Sequence, residues 1–222
     1  MRNFSGYEKA ILDKVSQVDP ADLITISKFL SDQIFTANSG MALVFIPERG
    51  KAILYLKGSI RDEPNRQKMA EFLELVSLIE YLKSERYIHS IHFAATAGLF
   101  VMGESFRNIS QNERGEIVLD GQGNHIKPSD ACWIYNSNNE REYEGLVLNK
   151  DESSLFTAIS GFASPLAPSQ ELRDFVGNGY KTKEDLRYMQ SKRYTKWALG
   201  VAILFGVVST LLGLLPLLMG CS

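Results

Sequence analysis

The chain has 222 residues, of which 45% are hydrophobic and 23% charged, so it has material for a buried core and lacks the charge density of a disordered chain. Its net charge of −2 is unevenly placed: residues 181–196 hold six basic side chains against two acidic ones, a net of +4, and nothing charged follows, which leaves 1–180 at −6. An acidic body of this kind argues against non-specific attraction to nucleic acid through phosphate neutralisation, and nucleic acid is not an expected partner.

Two amphipathic helices open the chain. Tyr7, Ile11, Val15 and Val18 recur on one face of the first. In the second, Asp19 can cap, Pro20 suits the first helical position, and Leu23, Ile26, Leu30 and Ile34 follow at helical spacing to Asn38-Ser39-Gly40. Met41 to Ile46, a Pro47-Glu48-Arg49-Gly50 turn and Ala52 to Lys57 then read as a β-hairpin. A long helix is expected from Asn65 to Arg86 on the stripe Met69, Phe72, Val76, Ile79, Leu82. Strand-like runs follow at Tyr87–Ala94, Leu99–Phe106, Gly115–Leu119, Cys132–Tyr135 and Leu146–Asn149, separated by turn residues such as Asp120-Gly121-Gln122-Gly123 and Asn136-Ser137-Asn138-Asn139. Leu155 to Phe162 and Gln170 to Val176 suit short helices, and Ser164-Pro165-Leu166-Ala167-Pro168 between them reads as a hinge. From Lys183, after a Thr182/Asp185 cap, no breaker occurs before Pro216. The fold class is α+β: N-terminal helices, a hairpin, a long helix and antiparallel strands. Helices followed by a hairpin also resemble pieces of a winged helix, although the long helix balances Glu71, Glu74, Glu80 and Glu85 against Arg66, Lys68, Lys83 and Arg86 and offers no basic reading face.

No motif specifies catalysis. Gly50-Lys51 ends like a phosphate-binding loop, but Ala52 replaces the required hydroxyl and Phe45 the first glycine; Asp174 and Phe175 spoil Gly177-Asn178-Gly179-Tyr180-Lys181-Thr182 in the same way. Gly103-Glu104-Ser105-Phe106-Arg107 begins like a nucleophile elbow and has Arg107 at its second glycine position. His89 and His92 lie on opposite faces of a strand. His125, Asp130 and Cys132 are close in sequence, which does not establish the spatial pairing a thiol nucleophile needs; a buried cysteine is expected. Glu140, Arg141, Glu142 and Glu144 suit a solvated loop or an edge strand. Cys132 and Cys221 fit neither a zinc spacing nor, on the topology below, a disulfide. No catalytic residue, cofactor or metal is expected.

The C-terminal run is the clearest signal. Trp197 to Met219 contains no charged residue over 23 positions, which as a helix measures about 34 Å against a hydrocarbon layer of about 30 Å. Trp197 and Tyr194 stand where interfacial aromatics belong, and Pro216 falls near the far end. The basic flank of Lys181, Lys183, Arg187, Lys192, Arg193 and Lys196 puts the preceding chain on the cytoplasmic side. The opening residues Met1 to Lys9 carry no apolar export signal, in agreement. Ala202, Gly206, Thr210 and Gly213 form a small-residue line that would let two such helices approach, giving a homo-oligomer.

Glu171-Leu172-Arg173-Asp174-Phe175, continuing through Lys181-Thr182-Lys183-Glu184-Asp185-Leu186-Arg187 into a lone apolar helix, resembles the tail of bacterial single-span membrane proteins with an N-terminal cytoplasmic domain. The resemblance covers about the last fifty residues and implies a topology and a bacterial inner membrane, without an activity. The expected organisation is thus a cytoplasmic domain at 1–163, a hinge and basic juxtamembrane helices at 164–196, and a membrane span at 197–219. The expected role is a non-catalytic sensing or partner-recruiting module whose partners are the bilayer and a protein. A membrane-localised enzyme and a tethered winged-helix regulator are the alternatives.

Overall fold

Strand β1 (Met41–Ile46) and strand β2 (Lys51–Lys57) form an antiparallel hairpin in which every residue of β1 and Ala52 to Leu56 of β2 are buried. Strands apolar on both sides need cover on both faces, and the remaining elements supply it. The computed structural model describes residues 3–36, 38–89, 99–103, 106, 109–120, 122–151 and 153–219, with 206–219 as backbone only.

The helices are α1 (Gly6–Ser16), α2 (Ile26–Gln33), α3 (Glu63–Ser84), α4 (Ser154–Ser160), α5 (Gln170–Gly177) and α6 (Lys183–Met219). The other strands are β3 (Ile88–His89), β4 (Phe100–Met102), β5 (Ser110–Gln111), β6 (Ile117–Val118), β7 (His125–Lys127), β8 (Asp130–Tyr135), β9 (Arg141–Asn149) and β10 (Ala167–Pro168). Eight strands make one antiparallel sheet in the order β4-β1-β2-β9-β8-β7-β6-β5. The protein is therefore α+β, as its pattern of elements implied. The hairpin lies inside the sheet, with β4 on one side and β9 on the other. Both of its edges are occupied, so it cannot serve as the wing of a winged helix.

Alternation divides the hairpin between two cores. Ala42, Val44, Ile46, Ile53 and Tyr55 point to one face, where they meet Ile117, Ile126, Ile134 and Tyr143 from strands further along the same sheet. The sheet must curl over itself for these to touch. On the other face Phe45 packs on Phe156 of α4 at 5.0 Å and on Phe100 of β4 at 4.9 Å, and α3 rests on α1 and α4.

Local chemistry explains where elements start and stop. Ser5 and Glu8 form a reciprocal capping box on α1, and Thr25 caps α2 through the Lys28 N–H. The second expected helix is two pieces: Asp19 caps a single 3-10 turn at Pro20–Asp22, Leu23 turns left-handed at φ 49°, and α2 begins afresh. Strand β9 is an inner strand, whereas Glu140 to Glu144 had suggested an edge. The runs expected at Tyr87–Ala94 and Leu99–Phe106 appear only as β3 and β4, the remainder lying partly outside the described residues.

The Ser164–Pro168 segment is built into the body. Pro165 bridges Thr25, β10 pairs with β3, and the Leu166 and Ser169 N–H groups donate to Ile24 O at 2.7 Å and Tyr87 O at 2.8 Å. Leu166 and Leu172 are buried, and the Arg173 guanidinium donates to Ser16 O and Val18 O at the end of α1. Proline is tolerated there because these are short edge pairings that need few donors. The first compact unit accordingly runs to Arg173, beyond the boundary expected at 163, and Asp174–Ser222 forms a second unit.

A fragment ending after Ala163 loses two buried leucines and these pairings. Urea denaturation should show it several kcal/mol less stable than a fragment ending after Lys181, on the order expected for deleting buried side chains. Equal midpoints would mean that 164–173 contributes nothing to the body.

Candidate functional site

Two surfaces carry chemistry, one in each unit. In the first, the chain leaves β2 through Gly58, which is left-handed at φ 83°, and turns into α3. The turn is fixed from both sides. Buried Asn65 donates to Lys57 O at 3.0 Å and Ser59 O at 2.8 Å, and Glu144 Oε2 accepts from Ser59 Oγ at 3.0 Å and the Ile60 N–H at 2.8 Å. Against it, β8 and β9 present Trp133, Arg141, Glu142 and Glu144. Together with Gly58, Ser59 and Arg61 these line an open groove of about 390 Å³.

One wall of the groove is a cation laid on an aromatic ring, and further ring stacks lie beside it on β7 and β8. The Arg141 guanidinium lies 4.7 Å from the Trp133 ring centre and pairs with Asp130 at 3.3 Å. Asp130 also accepts from the Tyr135 hydroxyl; Lys127 sits 3.8 Å over the Tyr135 ring, and His125 stacks on it at 5.8 Å. Lys57 pairs with Glu142 at 2.9 Å, and that hydrogen bond raises the Lys57 pKa. Contacts of this kind contribute roughly 0.5–1 kcal/mol each at exposed positions.

Beneath this face, Tyr55 is fully buried and donates its hydroxyl to Ala131 O at 2.6 Å. Burial first, then the charges of Cys132 and Asp130, pushes its phenol well above the usual tyrosine value. Tyr55 stands opposite Gly145 on β9, and a Cβ there would sit 2.8 Å from Tyr55 Cε1 and from Ile53 Cγ2. Glycine is required at 145 because the tyrosine ring fills the place of a side chain.

The chemistry-bearing residues singled out in the sequence are dispersed or structural. His125 Nδ1 is engaged with Gly123 O at 2.9 Å, and Cys132 is exposed, contrary to the expected burial, because its neighbour Ala131 packs on the inner core and strand alternation turns Cys132 outward. His89 pairs opposite Ala167 in β3, while His92, Glu104, Ser105 and Arg107 lie outside the described residues. Gly50 and Gly179 are left-handed turn positions. Among the described residues no group of His, Cys, Asp and Glu side chains could hold a metal ion. The Trp133–Arg141 pair, Arg61 and the Glu144 clamp were not singled out from sequence. Pairing the two strands across Asn136–Asn139, which gives Tyr135 opposite Arg141 and Trp133 opposite Glu144, is the signal that brings them together.

The second surface is α6. Thr182 and Asp185 cap it reciprocally: Asp185 N–H donates to Thr182 Oγ1 at 3.1 Å, and Thr182 Oγ1 and N–H donate to Asp185 Oδ2 at 2.7 and 3.0 Å. These bonds, the hydroxyl's first, lower the Asp185 pKa. Lys183, Arg187, Lys192, Arg193 and Lys196 lie on the helix, Lys181 just before it. Helical backbone continues through Pro216, and it places Ala202, Gly206, Thr210 and Gly213 on one face. Trp197 is 75% exposed and Phe205 66%, with Leu199, Ile203 and Leu204 similarly open. Among the described residues no helix is long and apolar enough to cross a membrane; the side chains of 206–219, the larger part of the apolar run, lie outside them.

No family model, curated protein or solved structure matches the chain.

Two outcomes follow for the Tyr55–Gly145 contact. Gly145→Ala should destabilise the protein by about 1–3 kcal/mol through overpacking against Tyr55, and less so in a Tyr55→Leu background, because neighbouring changes couple; equal costs in both backgrounds would dissociate Gly145 from the ring. Since the folded state holds the Tyr55 proton above the unfolded value of about 10, stability present below pH 10 is lost as pH rises beyond it. Alkaline denaturation of Tyr55→Phe should therefore show a shallower loss than wild type above pH 10.

Proposed function

We propose that this protein is a single-pass membrane protein in which α6 crosses the bilayer from Trp197 onward and the α+β body works on the cytoplasmic side as a non-catalytic, partner-recruiting module. The observation that carries the reading is the apolar part of α6. Side chains from Trp197 to Phe205 are open on all sides of the helix, and no charged residue follows them to the end of the sequence. A continuous apolar surface of that kind requires an apolar surround, and a lone helix finds it in hydrocarbon. The basic flank supports the orientation, and the resemblance of the last fifty residues to bacterial single-span proteins points to a bacterial inner membrane.

The body supports recruitment by the composition of its open face. Trp133, Arg141 and Arg61 are residue types enriched at protein interfaces. The Arg61 guanidinium has no ion-pair partner among the described residues. Its neighbouring carboxylates are already engaged, Glu144 by the Ser59 turn and Glu142 by Lys57, which leaves no free acid–base pair at the groove.

Alkaline carbonate extraction of cell membranes should leave the full chain in the pellet and release a chain ending after Lys181. A cytoplasm-restricted reporter should work at Met1 and an exterior-restricted one after Ser222. Release of the full chain, or exchanged reporter activities, would overturn the topology. A photocrosslinker at Arg61 should join the chain in cells to a discrete second protein, and no adduct at that position would overturn recruitment through this face.

A further inference from the structure

We propose that α6 carries a seat for one anionic phospholipid, with the headgroup phosphate on Arg193 and Lys196 and an acyl chain lying along Trp197, Gly200 and Leu204. This inference rests on the membrane topology proposed above and names the lipid that the juxtamembrane turn selects. Residues three and four apart share a helix face, so Arg193, Lys196, Trp197, Gly200 and Leu204 form one continuous strip about 16 Å long. The strip is concave where the side chain is missing at Gly200: Lys196, Trp197, Gly200, Val201 and Leu204 line a shallow, mostly apolar groove of about 340 Å³. A Cβ built at Gly200 meets nothing within 4 Å. Cationic at one end and apolar along its length, the strip matches the two parts of a phospholipid in the order a bilayer presents them.

The charge sign is set by what the helix has already neutralised. Asp185 is bound to Thr182 at the first turn, where a carboxylate also complements the helix N-terminus. Beyond Asp185 every charged residue of α6 is basic, and Arg193 and Lys196 have no hydrogen-bond or ion-pair partner among the described residues. Unpaired cations at the membrane surface attract anionic headgroups, while the ring of Trp197 suits the interfacial depth between headgroup and chain. A zwitterionic headgroup brings its own cation to the site and gains less.

The test is native mass spectrometry of the full chain, solubilised from membranes and exchanged into detergent with equal amounts of phosphatidylglycerol and phosphatidylcholine. The wild-type chain should retain one phosphatidylglycerol in preference to phosphatidylcholine. Arg193→Gln with Lys196→Gln should reduce that preference roughly tenfold or more, given the attraction each basic residue supplies near an anionic surface. Gly200→Leu keeps every charge and fills the groove from a position where a Cβ meets no neighbouring side chain within 4 Å, and it should lose the bound lipid as well. Lys183→Gln, at the far end of the basic segment, should leave retention unchanged. Equal retention of the two lipids by wild type, or loss of preference in Lys183→Gln equal to that in the double variant, would overturn the seat and reduce the effect to diffuse surface charge. Carbonate extraction of the same membranes separates the two readings: a chain that stays in the pellet without lipid preference sinks the seat alone, and a chain that is released sinks both.

Discussion

Met41–Ile46 and Ala52–Leu56 are apolar on both sides of the strand, so the hairpin they form can expose neither face to water. Two separate covers are needed, and they come from different parts of the chain. The helices α1 to α4 close one face, with Phe45 on Phe156 as a direct contact. On the second face the sheet covers itself by curling until Ile117, Ile126 and Ile134 reach Val44 and Tyr55. An antiparallel sheet gains curvature from twist and from register shifts, and the shifts found at Ile126/Lys127 and Ile134/Tyr135 sit on the strands that must bend.

That curl sets the character of the outer face. Where β7, β8 and β9 bend away from the helices, Trp133, Lys127, Arg141 and Glu144 stand on the outer face, and Tyr135 is buried beneath the Lys127 ammonium. Large aromatic rings in that position shed water by taking cations onto their faces, which is the arrangement found at Trp133/Arg141 and Tyr135/Lys127. The turn Gly58–Arg61 is held onto the same face by Asn65 and Glu144. The inner core and the groove meet at β9: Gly145 leaves room inside for the Tyr55 ring, and its neighbour Glu144 holds the turn outside.

The strongly periodic elements were legible in the sequence because their period is local information. Two short apolar runs around a Pro-Glu-Arg-Gly turn placed the hairpin to within a residue, and the stripe from Met69 to Leu82 placed α3 within two. What escaped was decided by partners distant in sequence. Pro165 and Pro168 read as a hinge because proline is scarce in strands, yet pairing with Thr25 and β3 needs only short edge contacts. The 3-10 break at Leu23 depends on competition between two caps, Asp19 and Thr25, either of which could start a helix alone. Strands as short as β5 and β7 carry too few residues to show a period. The Trp133–Arg141 groove was hidden for the same reason: neither residue belongs to a motif, and only the β8–β9 register makes them neighbours.

Charge ties the two units to one logic. A body with a net charge of −6 is repelled by an anionic membrane surface, and over the ~8 Å screening length of physiological salt that repulsion acts on whatever lies nearest the bilayer. Residues 181–196 reverse the sign before the apolar run begins. Within that segment the two acids are confined to the first turn of α6, where the helix dipole and Thr182 engage Asp185, so the positive charge is graded toward Trp197 and is greatest at Lys192, Arg193 and Lys196. The proposed phosphate contacts of Arg193 and Lys196 fall at the apolar end of the segment, and both acids, Glu184 and Asp185, fall at the other.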